Sequence, residues 1–99
     1  MRDLSLLGIA QAAGYLVSGH TACDEAMKLN RVCLLILACD ASEKVKRKFT
    51  AKAFEHRIPI IEAASKEALG KAIGRPERAV VGVCDSGLAK SLSASLREC

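Results

Sequence analysis

The chain has 99 residues, of which 51% are hydrophobic and 26% charged, and its 15 Lys and Arg against 11 Asp and Glu give a formal charge of +4. A disordered tail is excluded by that composition, and no apolar run reaches the roughly 20 residues of a membrane-spanning helix, so one globular domain over 1–99 is expected. The only aromatic rings are Tyr15, Phe49 and Phe54, too few to grip a single strand by stacking bases on several rings.

Leu6, Ile9, Ala10 and Ala13 stand at i, i+3, i+4 and i+7, the spacing of a helix face. Asp3 is placed to cap this first helix and Gly14 to end it. The same stretch imitates a signal peptide, with an Ala10-x-Ala12 pattern. Asp3 spoils the basic start and the apolar part is short, so it reads as the first helix of the domain. Leu16-Val17 forms a short strand, and Ser18-Gly19 leads into a second helix over about 21–29. The run 32–38 (VCLLILA) is apolar throughout, which predicts a strand covered on both faces.

Asp40, three residues before Glu43, gives a capping-box-like start to a long helix over 42–57, about 24 Å at 1.5 Å per residue. Its core seam is Val45, Phe49 and Ala53, and Pro59 stops it. A third strand spans 58–62. Ser65 caps a short helix ended by Gly74, 79–84 (AVVGVC) is a fourth strand, and Ser86 caps a last helix to about 98. Helices alternating with buried strands give an α/β fold, a three-layer α/β/α sandwich around four strands.

The five cysteines, Cys23, Cys33, Cys39, Cys84 and Cys99, form no CxxC pair and are irregularly spaced. No metal site and no disulfide framework are expected; these are small hydrophobes in a reducing cytoplasm. No cofactor is expected either: there is no GxGxxG, and Gly70-Lys71 lacks both the upstream Gly and the following Ser or Thr of a phosphate loop. Cys39 or Cys84 with His20 is the pairing left for a small cysteine enzyme. Both cysteines end apolar strands and His20 opens a helix, so a non-enzymatic protein is favoured.

Charge is unevenly spread. Residues 28–57 hold Lys28, Arg31, Lys44, Lys46, Arg47, Lys48, Lys52 and Arg57 against Asp40, Glu43 and Glu55, a net +5, and the rest of the chain nets −1. Lys44, Lys48 and Lys52 stripe one helix face at i, i+4 and i+8. Like charges at that spacing destabilise an isolated helix by about 0.2–0.5 kcal/mol per pair. The stripe is either a solvated face or one that phosphates neutralise. Free N–H groups after Ser18-Gly19 offer a second anion site. Two strand-to-helix junctions echo one another, Cys39-Asp40-Ala41-Ser42 and Cys84-Asp85-Ser86-Gly87.

Ile58-Pro59-Ile60, the stretch SKEALGKAIG over 65–74, and a strand ending in Val83-Cys84-Asp85 resemble the kink-turn-binding ribosomal protein family, large-subunit proteins seven-Ae and thirty-e and their relatives. Leu7-Gly8, Ala13-Gly14 with Leu16-Val17-Ser18-Gly19, and Asp40-Ala41-Ser42 are similar to its small bacterial YlxQ-type members, and the resemblance covers essentially the whole chain. It implies a small mixed sheet and non-enzymatic binding of structured RNA, kink-turn-like or ribosomal. It implies a cytoplasmic, ribosome-associated protein with no membrane partner and no small-molecule substrate.

The implied RNA surface joins three parts. These are the second-helix start (Ser18, Gly19, His20, Thr21), adjoining basic residues (Lys28, Arg31, Lys44, Lys46, Arg47, Lys48), and the loop before the last helix (Val83, Cys84, Asp85, Ser86). The family's Gly-x-Asn-Glu-x-x-Lys pattern is met here by Gly19 alone, with Thr21, Ala22 and Glu25 at the other three positions. Each lost charge-assisted contact removes about 1.5–3 kcal/mol, which weighs against tight kink-turn recognition. The alternative is a protein-interaction module of the same fold that has lost RNA binding.

Overall fold

The computed structural model describes residues 4–96. In chain order its elements are α1 (Ser5–Ala12), β1 (Leu16–Ser18), α2 (His20–Lys28), β2 (Leu34–Leu37), α3 (Glu43–Glu55), β3 (Ile60–Glu62), α4 (Lys66–Ala72), β4 (Val80–Val83) and α5 (Ser86–Leu96). The strands form one mixed sheet in the order β1-β4-β2-β3. β4 is antiparallel to both β1 and β2, while β2 and β3 are parallel.

Both central strands, β2 and β4, are buried along their whole length. Alternate side chains serve opposite layers, as the two-residue repeat of a strand requires. Leu34, Ile36, Val81 and Val83 pack with Leu7, Leu69, Leu92 and Leu96 of α1, α4 and α5. Leu35, Leu37 and Val80 pack with Cys23 and Met27 of α2 and Phe49 and Ala53 of α3. The result is the three-layer sandwich, with two helices on one face and three on the other. Each large side chain so buried contributes about 1.5–3 kcal/mol.

The first helix faces the core differently from its sequence reading. Leu7 and Ala10 are buried, whereas Ile9 is 62% exposed and Ala13 is exposed. Gly8 sets this rotation: a Cβ there would lie 3.1 Å from the Ala72 carbonyl oxygen, so α1 and α4 meet through a bare backbone. The proposed cap Asp3 lies outside the described residues, as does the end of the last helix near 98.

Two other caps move by a residue or two. Ser42 caps α3, its Oγ accepting the Val45 N–H at 3.2 Å, and Asp40 instead accepts the Lys66 N–H at 2.8 Å, joining the β2–α3 turn to the start of α4. Asp85 rather than Ser86 caps α5, its carboxylate accepting the Leu88 N–H at 2.9 Å. Ser86 is already the first helical residue, too far along to reach that donor. Ser65 caps α4 as expected, through the Ala68 N–H at 3.1 Å.

Four helices end alike, with Gly14, Asn30, Arg57 and Gly74 in the left-handed region. In each, the next N–H reaches the carbonyl five residues back: Tyr15 to Ala10, Arg31 to Ala26, Ile58 to Ala53 and Arg75 to Gly70. Among the described residues no helix is long and apolar enough to cross a membrane.

Candidate nucleic-acid interface

Strand directions decide which loops meet. β1, β2 and β3 run the same way and each is followed by a helix, so α2, α3 and α4 all begin at one end of the sheet. Ligand sites in open α/β sheets gather beyond such carboxyl ends. Here they enclose a groove of about 680 Å³ whose wall includes Gly19, Thr21, Glu25, Ser42, Lys66 and Arg78.

At the groove's centre is the start of α2. Gly19, its N-cap, has φ 92° and ψ 163°, and no side chain caps the helix. Essentially only glycine adopts that conformation. The first-turn N–H groups of His20, Thr21 and Ala22 have no intrahelical acceptor, and the helix dipole makes this end attractive to anions. The Gly19 N–H donates to the Val80 carbonyl at 3.0 Å, which fixes the turn to β4.

Opposite α2 lies the loop between α4 and β4. Arg78 ties it down: Nε donates to Ser18 Oγ at 3.2 Å, Nη1 donates to the carbonyls of Pro76 (3.4 Å) and Glu77 (3.1 Å), and the Arg78 N–H donates to the Lys66 carbonyl at 3.0 Å. Gly70 makes this possible. A Cβ there would stand 2.1 Å from the Pro76 carbonyl oxygen, so the loop folds back on α4 only over a bare glycine.

The groove wall is close to neutral, with Lys66 and Arg78 against Glu25 and Glu77. Beside it runs α3, the basic helix, which reaches the wall at Ser42 and Val45. The His20 ring meets Phe49 edge-on at 5.6 Å, locking the start of α2 to α3. Lys44, Arg47 and Lys48 are exposed and, among the described residues, form no ion pair.

Two other cations of that helix are occupied. Lys46 donates to the Cys39 carbonyl at 2.8 Å and pairs with Glu62 at 3.3 Å, on the flank facing β3. Lys52 pairs with Asp24 of α2 at 2.6 Å, and Lys28 approaches the same carboxylate at 3.5 Å. The Lys52 hydrogen bond, helped by Lys28, holds the Asp24 carboxyl below the usual carboxylate range. The predicted stripe Lys44-Lys48-Lys52 is therefore broken at its third member, because the helix face turns inward toward α2.

The remaining predicted residues lie at the other end of the sheet, so the expectation of a single surface is corrected. β4 runs opposite to its neighbours, and its carboxyl end stands beside Leu16 and Leu34. Val83 is 0% exposed, so its side chain does not reach the surface. Cys84 is half-buried and its N–H donates to the Tyr15 carbonyl at 2.8 Å. Asp85 is occupied in capping α5, and Ser86 is exposed. Arg31 lies near Cys84, and Lys28 is in the last turn of α2. His20 and Cys84, one of the two candidate enzyme pairs, are at opposite ends. Burial pushes the Cys84 thiol up and the Cys23 thiol up to about 12, the reverse of nucleophile activation.

Sequence reasoning missed Lys66, Glu77 and Arg78. The signals were present in Gly70, inside a helix where glycine is unfavourable, and in Pro76 just before the last strand.

Residues 4–93 match the model of the ribosomal protein L7Ae/L30e/S12e/Gadd45 family. The chain belongs to that family. Among relatives of this L7Ae/L30e chain, the RNA-binding protein YlxQ of Bacillus subtilis (strain 168) is 35% identical, over 93% of this chain and 92% of its own. The RNA-binding protein YlxQ of Enterococcus faecium is 32% identical, over 90% and 85%. A solved protein of unknown function from Bacillus halodurans C superposes with a TM-score of 0.88 at 38% identity, covering 92% of each chain. The Giardia lamblia 15.5kD RNA binding protein shares the fold, with a TM-score of 0.80 at 17% identity over 94% of this chain and 82% of its own. The three positions at which this L7Ae/L30e chain departs from the resemblance's helix pattern, Thr21, Ala22 and Glu25, all line the groove.

Proposed function

We propose that the chain is a non-enzymatic, cytoplasmic binder of structured RNA, kink-turn-like or ribosomal, and that the groove at the start of α2 receives it. The observation that carries this reading is the uncapped N-terminus of α2, open to the groove and flanked by the unpaired cations of α3. The names of the YlxQ relatives support it. Backbone N–H groups of α2 and the Thr21 hydroxyl meet phosphate or a base edge, and Lys44, Arg47 and Lys48 meet the backbone that follows. Ala22 offers no side-chain hydrogen bond and Glu25 repels phosphate, so recognition rests on RNA shape more than on base identity. The loop Arg75–Arg78 takes the role the sequence assigned to the segment before the last helix.

Fluorescence anisotropy with a folded kink-turn RNA and a straight duplex of equal length tests the proposal. The folded RNA binds more tightly, and log K falls against log[salt] with a slope of about −2 to −3, as expected for three or four phosphate contacts. Thr21→Glu, which sets a carboxylate at the helix start, weakens binding at least tenfold with an unchanged circular dichroism spectrum. Failure to bind any folded RNA overturns the reading. Glu25 and Glu77 on the groove wall favour a basic protein segment as the second reading; a retained protein partner, with no RNA binding, would establish it.

A further inference from the structure

Phe54 is 88% exposed, the most exposed of the large hydrophobic residues among those described. Its position on α3 explains why the core does not take it. The seam of α3 is Phe49 and Ala53, both buried, with Val45 half-buried. One residue past Ala53 turns the helix by about 100°, away from the flank where Lys52 meets Asp24. The ring therefore stands outward. Helical side chains lean toward the N-terminus, over the residues three and four positions earlier. For Phe54 these are Ala51 and Thr50, both short, so the face of the ring is left open.

Seven residues back, on the same side of the helix, stands Arg47, and one turn further Lys44, both exposed and without an ion pair among the described residues; Lys48 lies about 120° round the helix, with its Nζ 5.5 Å from the centre of the Phe49 ring. Ser42, at the mouth of the groove, is twelve residues and about 18 Å from Phe54 along the helix. We infer that the outer face of α3 is a second RNA contact, where a single-stranded segment leaving the groove runs along Lys44 and Arg47 and stacks one base on Phe54. The inference rests on the RNA reading above. Cations and an open ring face match the two parts of a nucleotide, phosphate and base. An apolar protein partner would cover the same cations without compensating them.

The test uses the full chain and two RNAs: the folded kink-turn RNA, and the same RNA carrying six unpaired uridines, placed at the 5′ end in one version and the 3′ end in another. The wild-type protein binds one extended version more tightly than the bare fold. Phe54→Ala loses that gain, about 5- to 100-fold, and binds the bare fold as the wild type does. Phe54→Tyr, which keeps a π face, retains the gain, and Phe54→Leu, which keeps apolar bulk alone, does not. Thermal melts of the variants check that this exposed position leaves the fold intact. If the bare fold binds but the extension adds nothing, or if Phe54→Leu matches the wild type, the inference is overturned while the groove stands. If neither RNA binds, the RNA reading and the inference fall together. If Phe54→Ala changes only the sedimentation behaviour of the protein, the ring serves a protein contact and the inference is overturned.

Discussion

The two ends of the sheet each carry a hollow, and they are made of different material. The groove end holds about 680 Å³ with charged residues of both signs on its wall. The opposite end holds about 390 Å³ between α5 and the starts of β2 and β3, lined by Cys33, Leu34, Pro59 and Ala89, with Lys90 at its edge. A helix starts at each. At α5 the chain supplies its own anion, the Asp85 carboxylate, which already engages the first-turn Leu88 N–H. At α2 the cap is a glycine with no side chain to offer, and the donors are left to a ligand. Similar strand-to-helix junctions thus end in a closed helix start at one end and an open one at the other.

The largest effect bears on α2, which links the two ends. Cys23, in its middle, is buried, with its thiol pushed up to about 12 from an ordinary 9.0. A folded-state value above the unfolded one means stability is fully present below pH 9 and lost as pH rises toward 12. Urea melts should show a decline of about 1.4 kcal/mol per pH unit in that window. Cys23→Ala should make it clearly shallower, leaving the smaller part due to Cys84, and an equal decline in that variant would refute the cause.

Next comes Gly70→Ala. The new Cβ meets the Pro76 carbonyl, so overpacking should lower stability by about 1–3 kcal/mol and displace the Arg78 loop. Folded-RNA affinity should drop at least tenfold, measured where the variant is still native by circular dichroism. Asp85→Ala sharpens the contrast from the other end: loss of the cap should remove about 1 kcal/mol of stability with RNA affinity unchanged. An RNA defect matching that of Thr21→Glu would erase the distinction between the ends.

The smallest effect is a gain. Asp24→Asn releases Lys52 and Lys28 on the α2–α3 flank. RNA binding should tighten slightly, with the salt slope steeper by up to about one unit. Because the Asp24 carboxyl is held low, its stabilising pair persists above the unfolded value near about 3.9 and is lost as pH falls through the folded one. The wild type should therefore show a shallow fall in melting temperature in acid that Asp24→Asn lacks.

Elements with a strong local signal were legible in the sequence. The apolar run 32–38, the AVVGVC strand and the Gly14 and Gly74 ends all appear in the structure, because each follows from a few adjacent residues; the long helix stops at Glu55 through Arg57 in the left-handed region, before Pro59 is reached. The start of α2 was legible for the same reason. What could not be read was strand direction. Nothing local to Val83-Cys84-Asp85 says that β4 runs against its neighbours, so that segment was joined to a surface at the far end of the sheet. Ion pairing across elements was equally hidden: Lys52 and Asp24 are 28 positions apart, and only the packing of α2 beside α3 takes that lysine out of the basic stripe.

The order β1-β4-β2-β3 also bears on how the protein is made. The last strand synthesised lies between the first and the second, so β1 has no neighbour in the sheet until residues near 83 leave the exit tunnel. Such late, long-range pairing is slow to nucleate and leaves the nascent chain without a closed core. The groove shares this timing, since Gly19 is anchored on Val80 and Ser18 on Arg78. The groove is therefore completed only when the last strand has paired.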